Sequence, residues 1–399
     1  MGDPVYLDNQ ATTRVDPRVV DAMLPYFEAK YGNAGSVNHI FGWEAAEAAK
    51  QSAAQIAAAL GARPQEIIFT SGATESNNLA IFGVAGTRRR RGNHIVSVVS
   101  EHKAVLDPLA HLKGRDFEVT LLPVADQKSQ WPGSITAEAV ADAIRDDTAL
   151  VSVMMANNET GVIQPLAEIG ALCKERGVLL HTDAAQAVGK IPVDVQQLGV
   201  DLLSFSGHKI YGPRGIGALY VRRREPHVRL EPQIFGGGQQ LGLRSGTLNV
   251  PAIVGLAKAV ALCGEEMESE TQRLAGLRDN LFEKLSNRLS GVVLNGPPLG
   301  DRQMRLAGNL NVQFAYVDGE ALMMSTGGVL AVSSGSACTS ADPEPSHVLR
   351  ALGLSDDAVR SSVRFGLGRF TTEADIEFAL EEITSTVTRL RKLSSLAGE

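Results

Sequence analysis

The stretch that decides the fold is Asp201-Leu-Leu-Ser-Phe-Ser-Gly-His-Lys209, a short apolar run that ends on a lysine. A second apolar run upstream, through Leu179 and Leu180, ends on Asp183. Two buried strands that each finish on a charged group place an amine and a carboxylate at one rim of a sheet. Open α/β sheets bind ligands at that rim. Working outward, strands are predicted at Ile67–Thr70, His94–Val99, Phe117–Leu122, Ala149–Met155, Val178–Thr182, Leu202–Phe205 and Gly217–Val221. Helical patterns separate most of the early ones, as parallel βαβ connections require. The close pair 202–205 and 217–221, joined by a Gly/Pro loop, predicts one antiparallel neighbour in an otherwise parallel sheet. A capped helix is predicted from Trp43 to Leu60, stopping at Gly61.

Beyond Pro251 a long helical stretch runs to about Ser290. Strands at Leu310–Phe314 and Val363–Leu367 and helices near Gly319–Ser325 and Glu373–Leu390 follow. This predicts a smaller α+β domain tethered by the long helix. The 399-residue chain has an ordinary apolar fraction of 44%, a charged fraction of 21% and a net charge of −7. That charge argues against nucleic-acid binding. The Arg88-Arg-Arg-Arg91 run reads as a solvated helix end, with a docking patch as the alternative. No stretch is apolar enough to span a membrane and no signal pattern opens the chain, so a cytoplasmic location is expected. Three widely spaced cysteines, Cys173, Cys263 and Cys338, suit neither a disulfide framework nor a zinc site, and no histidine spacing suggests a metal.

A lysine beside small residues and a carboxylate is the equipment for holding pyridoxal phosphate as a Schiff base. Ile67-Ile-Phe-Thr-Ser-Gly-Ala-Thr-Glu-Ser76 adds a strand, a tight turn and a helix start, where Thr74 and Ser76 offer hydroxyls beside free N–H groups. The same pattern also describes an ordinary helix cap. Ser206 and His208 offer further phosphate donors. Asp183 reads either as a helix N-cap or as a carboxylate facing a pyridinium nitrogen. At ~3 Å and an effective dielectric of ~20, the second arrangement is worth about 5 kcal/mol before desolvation. Gln186, one turn on, can reach the ring oxygen. His102 opens a helix at the same rim, either as a terminal polar residue or as a stacking partner and proton carrier. Cys338 lies in Ser333-Ser-Gly-Ser-Ala-Cys-Thr-Ser340, a run of small polar residues that predicts an exposed thiol on a mobile loop and therefore a reactive one. Arg364 and Arg369 bracket Phe365-Gly-Leu-Gly368; one can clamp a substrate carboxylate while the other braces the strand.

These segments together resemble the cysteine desulfurases of the NifS/IscS type, fold-type I pyridoxal-phosphate enzymes of the class V aminotransferase group. The resemblance runs from Tyr6-Leu-Asp-Asn-Gln-Ala-Thr-Thr13 through Thr70–Ser76, Glu101-His-Lys-Ala-Val-Leu106 and Asn157-Asn-Glu-Thr-Gly161. It continues through Ser206-Gly-His-Lys-Ile-Tyr-Gly-Pro213 and Arg244-Ser-Gly-Thr247 to Ser333–Ser340 and Arg364–Phe370. It implies that Lys209 is the Schiff-base lysine, His102 the ring-stacking histidine, Asp183 the partner of the pyridine nitrogen and Gln186 a neighbour of the ring oxygen. Ala73, Thr74, Ser206 and His208 would hold the phosphate, and Thr247 would reach the phosphate of the other subunit in a homodimer. Arg364 and Asn158, assisted by Asn33, would hold the carboxylate of L-cysteine, and Cys338 would receive its sulfur as a persulfide. By the same resemblance, residues 1–15 belong to the small domain, 16–255 form the large cofactor-binding domain, and 256–399 form the small domain carrying the Cys338 loop. The sulfur would pass to an acceptor protein such as an iron–sulfur scaffold. The chain ends at Leu396-Ala-Gly-Glu399, without the longer acidic and aromatic tail with which the IscS branch engages its scaffold, so the partner's identity stays open. Two other readings are a different pyridoxal-phosphate reaction, such as transamination or selenocysteine cleavage, and a non-catalytic thiol-bearing assembly protein.

Overall fold

The structure, a computed structural model, describes residues 3–87, 92–224, 227–334 and 345–393. The Arg88–Arg91 run, Cys338 and the C-terminal tail from 394 therefore lie outside the described residues. In chain order the strands are β1 (Val5–Tyr6), β2 (Ile67–Thr70), β3 (His94–Val98), β4 (Glu118–Leu122), β5 (Thr148–Ser152), β6 (Leu179–Asp183), β7 (Leu202–Ser206) and β8 (Gly217–Val221). After these come β9 (Val292–Leu294), β10 (Asn309–Phe314), β11 (Leu330–Ala331) and β12 (Ser362–Gly366).

Seven strands form one sheet in the order β2-β8-β7-β6-β5-β3-β4. Strands β4, β3, β5, β6 and β7 run parallel, and β8 lies antiparallel between β7 and β2, as the short 206–217 connection predicts. Every residue of β2, β3, β5, β7 and β8 is buried, because helices cover both faces of the sheet. Such strands read as unbroken apolar runs, which makes them legible in the sequence. The start of β8 requires glycine. A Cβ on Gly217 would stand 2.4 Å from the Phe205 carbonyl oxygen and 2.7 Å from the Gly72 Cα.

A second, three-stranded sheet (β12-β10-β9) carries its own apolar core of Leu310, Val312, Phe314, Val363 and Phe365, which Leu7 of the N-terminal segment joins. The helix Val250–Arg288 spans both cores, with Ile253–Cys263 in the first and Leu274–Leu285 in the second. At 1.5 Å per residue its 39 residues reach about 58 Å. Among the described residues no helix is long and apolar enough to cross a membrane, and no group of His, Cys, Asp or Glu could hold a metal ion.

Candidate active site

Three parallel strands and the turns after them deliver polar groups to one cavity of about 420 Å³. Asp183 is the last residue of β6. Its Oδ1 accepts from the Ala185 N–H at 2.9 Å, and its Oδ2 accepts from Asn77 Nδ2 at 2.7 Å. Lys209 follows β7 through the tight Gly207–Lys209 turn. Its Nζ donates to the carbonyl oxygens of Gln10 at 2.5 Å and Ala11 at 2.8 Å, both on the N-terminal segment. His102 follows β3 and caps the helix Lys103–Lys113, its Nδ1 accepting from the Ala104 N–H at 3.0 Å. That bond leaves Nε2 as the ring nitrogen that carries the proton in the neutral form. His102 is thus a helix cap that also lines the cavity.

The cavity is also lined by Gly72, Ala73 and Thr74, at the start of the helix Ala73–Thr87, and by Ser206 and His208. Gly72 has φ 154°, and a Cβ there would come within 3.4 Å of Ser206 Oγ. The turn, the helix N-terminus and the Ser206 hydroxyl thus lie side by side, a set of donors that suits an anion. Burial, reinforced by the Lys209 ammonium, pushes His208 down to about 4, so it sits there as a neutral imidazole.

Arg364 comes from β12 of the other sheet and is only 1% exposed. Its Nη2 pairs with Asp8 Oδ1 at 2.8 Å and its Nη1 donates to the Asn158 carbonyl oxygen at 2.9 Å. Arg364, Asn158 and Gln186 line the cavity. Arg369 does not. It stacks over the Tyr211 ring at 4.3 Å and pairs with Asp16 at 2.9 Å and with Glu266 and Glu270, bracing one core against the other. Of the two arginines left open by the sequence, Arg364 is the one at the cavity.

The structure does not bring every predicted residue to this place. Asn33 is exposed, with its Oδ1 on the Gly35 N–H, and Thr247 is exposed on a loop held by the Arg244–Glu75 ion pair; neither lines the cavity. Cys338 lies outside the described residues, but the chain on both sides of it is fixed to the rim. Ser333 and Arg364 exchange backbone hydrogen bonds, Ser346 Oγ donates to Glu159 Oε2 at 2.5 Å, and His347 Nε2 meets the Glu101 carbonyl oxygen at 2.9 Å. Burial raises both Glu159 and Glu101; for Glu101 the neighbouring Asp183 adds to it. Sequence reading missed Asn77, Gln10, Arg214 and these two carboxyls. Asn77 and Gln10 meet their partners across 106 and 199 positions, and no local pattern marks them. Arg214 carried a usable signal in the Pro213-Arg-Gly215 turn.

A sheet whose parallel strand ends bring a lysine, a carboxylate and a helix N-terminus to one cavity defines a fold-type I pyridoxal-phosphate enzyme. The chain belongs to the aminotransferase class-V family, whose pattern matches residues 5–378. It is 52% identical over 393 residues to the cysteine desulfurase IscS of Rickettsia felis, an alignment that covers 98% of this chain and 93% of the relative. Among solved structures it is similar to a NifS-like protein with a TM-score of 0.88 and 37% identity, covering 97% of this chain and all of the other. It is also similar to SspA in complex with cysteine, with a TM-score of 0.78 and 38% identity, covering 92% of this chain and 99% of that one.

Proposed function

We propose that the chain converts L-cysteine to L-alanine as a pyridoxal-phosphate-dependent cysteine desulfurase and passes the sulfur to Cys338 as a persulfide. The observation that carries this reading is the convergence of Lys209, Asp183 and Arg364 on one cavity, to whose rim both flanks of the Cys338 segment are tied. Pyridoxal phosphate fits the residues present. The volume is that of a cofactor site, the Gly72–Thr74 turn with Ser206 and His208 suits a phosphate, and an amine, a doubly anchored carboxylate and Arg364 line the same cavity. When bound, the cofactor supplies an electron sink for the pair left at Cα.

The remaining work falls to the protein's own groups. Asp183, held by Asn77 and the Ala185 N–H, would keep a proton on the pyridine nitrogen of the bound cofactor. Arg364, oriented by Asp8 and the Asn158 carbonyl, grips the substrate carboxylate with its planar fork. Lys209, once free as an amine, takes the Cα proton as general base. His102 would stack on the cofactor ring and carry a proton at Nε2. The Cys338 thiolate attacks the substrate Sγ, an S–S bond forms as the Cβ–Sγ bond breaks, and the carbon skeleton leaves as alanine after reprotonation.

The persulfide is then delivered to a sulfur-acceptor protein, such as an iron–sulfur scaffold, in the cytoplasm. The working unit is a homodimer in which Thr247 reaches the partner's phosphate and Asn33 assists at the carboxylate. The exposed apolar side chains of Leu24, Phe27, Tyr31, Val37 and Phe235 support an interface near these two residues. Residues 1–15 group with 256–399 and residues 16–255 form the cofactor-binding domain, in line with the packing of Leu7 in the second core. The test is alanine formation from L-cysteine by the holoenzyme and by Cys338→Ser. The wild type should form alanine, and the variant should bind cysteine, seen as a change in cofactor absorbance, yet release none. Normal turnover by Cys338→Ser, or accumulation of pyridoxamine phosphate, would replace desulfuration by a lyase or transaminase reaction.

A further inference from the structure

Behind the wall made by Gln10 lies a second cavity of about 40 Å³, lined by Gln10, Thr13, Lys190, Tyr211 and Glu270. Gln10 lines the active-site cavity as well, so the two cavities share a wall. Lys190 is an amine that the mechanism above does not use. Its Nζ lies 2.5 Å from Gln186 Oε1, and Gln186 Nε2 donates to the Gln10 carbonyl oxygen at 2.9 Å. That same carbonyl accepts from Lys209 Nζ at 2.5 Å. A continuous chain of hydrogen bonds therefore joins Lys190 to Lys209 through Gln186 and Gln10.

The two ends of a carboxamide are nearly equal in size, so only hydrogen bonds choose between its two orientations. Here both contacts choose the same one. An ammonium has donors and no acceptor, and the Gln10 carbonyl is an acceptor and no donor. A flipped Gln186 would set N–H groups against the ammonium and an oxygen against the carbonyl oxygen, losing both bonds at once. Gln186 lines the active-site cavity, and in the observed orientation its Nε2 has a second N–H besides the one given to Gln10.

We propose that Lys190 is a positioning residue that locks the Gln186 carboxamide so that its second N–H is offered to the ring oxygen of the bound cofactor. The proposal rests on the reading of the larger cavity as a pyridoxal-phosphate site. Burial first, then the Lys209 ammonium and Arg364, push Lys190 down to about 7, against the opposing pull of Cys263 and Glu270. The contact survives this titration, because a neutral amine still has two N–H donors for Gln186 Oε1.

The test titrates apoenzyme with pyridoxal 5′-phosphate and records both the dissociation constant and the ratio of the bound cofactor's near-ultraviolet and visible bands. Lys190→Met keeps the length of the side chain and removes the donors. It should weaken binding about tenfold, the low end for a hydrogen bond to a charged group, and move the band ratio in the direction that Gln186→Ala moves it. Adding Lys190→Met to Gln186→Ala should change neither further, and Lys190→Arg, which keeps donors, should restore wild-type behaviour. Lys190→Met indistinguishable from wild type beside a weakened Gln186→Ala, additive effects in the double variant, or a folded Lys190→Arg as weak as Gln186→Ala would each overturn the proposal. An unaltered Gln186→Ala would instead remove the role of Gln186 itself, and wild-type apoenzyme that fails to bind the cofactor would remove the reading of the site.

Discussion

Replacing Asn77 by alanine tests the anchoring of Asp183 directly. Asn77 Nδ2 donates to Asp183 Oδ2 at 2.7 Å, and both residues are buried at the foot of the cavity. The alanine variant leaves that carboxylate oxygen without its side-chain donor, while Oδ1 keeps the Ala185 N–H. A buried hydrogen bond to a charged group is worth about 1.5–3 kcal/mol, so a loss near 2 kcal/mol corresponds to roughly 30-fold in an equilibrium constant. If Asp183 carries the pyridinium contact, that loss appears where the contact is made. Apoenzyme of Asn77→Ala titrated with pyridoxal phosphate should bind roughly 10- to 100-fold more weakly than wild type, and alanine formation at saturating cofactor should slow. Asn77→Asp, which sets a second carboxylate against the first, should be worse than alanine. A dissociation constant within about twofold of wild type, a difference of only ~0.4 kcal/mol, would refute the claim that Asn77 holds Asp183 for the cofactor.

Other predictions follow from the same geometry. Lys209→Ala should lower alanine formation by at least about 10²-fold, the usual scale for a lost general base, and leave the cofactor removable by gel filtration; full activity would remove the base assignment. Arg364→Lys, which loses the planar fork shared between Asp8 and the Asn158 carbonyl, should raise the KM for L-cysteine about tenfold or more and leave cofactor affinity alone; an unchanged KM would move the carboxylate contact elsewhere. His181, between the hydroxyls of Ser152 and Ser204, is pushed down to about 4 by burial from its ordinary 6.5. The folded chain then binds fewer protons than the unfolded chain, so this contribution is full above pH 6.5 and lost as the pH falls through 4. It amounts to roughly 3 kcal/mol, and the urea midpoint of His181→Gln should fall less steeply over that window than that of wild type; equal slopes would contradict it.

Much of the fold is legible because buried parallel strands advertise themselves. The runs at 67–70 and 217–221 coincide with β2 and β8 to the residue, and an aspartate closing one apolar run and a lysine just past another already imply a shared rim at the ends of β6 and β7. The features that stay hidden have no period to read. Strands β1 and β11 have two residues each and exist only because they pair with one another. Asn77 looks like any polar residue on a helix until Asp183 is brought beside it, and Lys190 looks like a solvated lysine until Gln186 is brought against it. The choice between Arg364 and Arg369 is likewise undecidable locally. Both flank the same Phe-Gly-Leu-Gly turn, and only the ion pairs of Arg369 with Asp16, Glu266 and Glu270 show which one braces the cores.

The central claim, sulfur transfer from L-cysteine to one thiol, is tested most directly by peptide mass spectrometry after brief exposure of the holoenzyme to L-cysteine without reductant. The other two cysteines serve as internal controls, since burial raises Cys173 to about 12 and Cys263 to about 11 and keeps them as unreactive thiols. The account predicts one added sulfur on the Cys338 peptide, none on those of Cys173 and Cys263, and an equal amount of alanine. Alanine formed with Cys338 unmodified, or added sulfur on either buried cysteine instead, would contradict it.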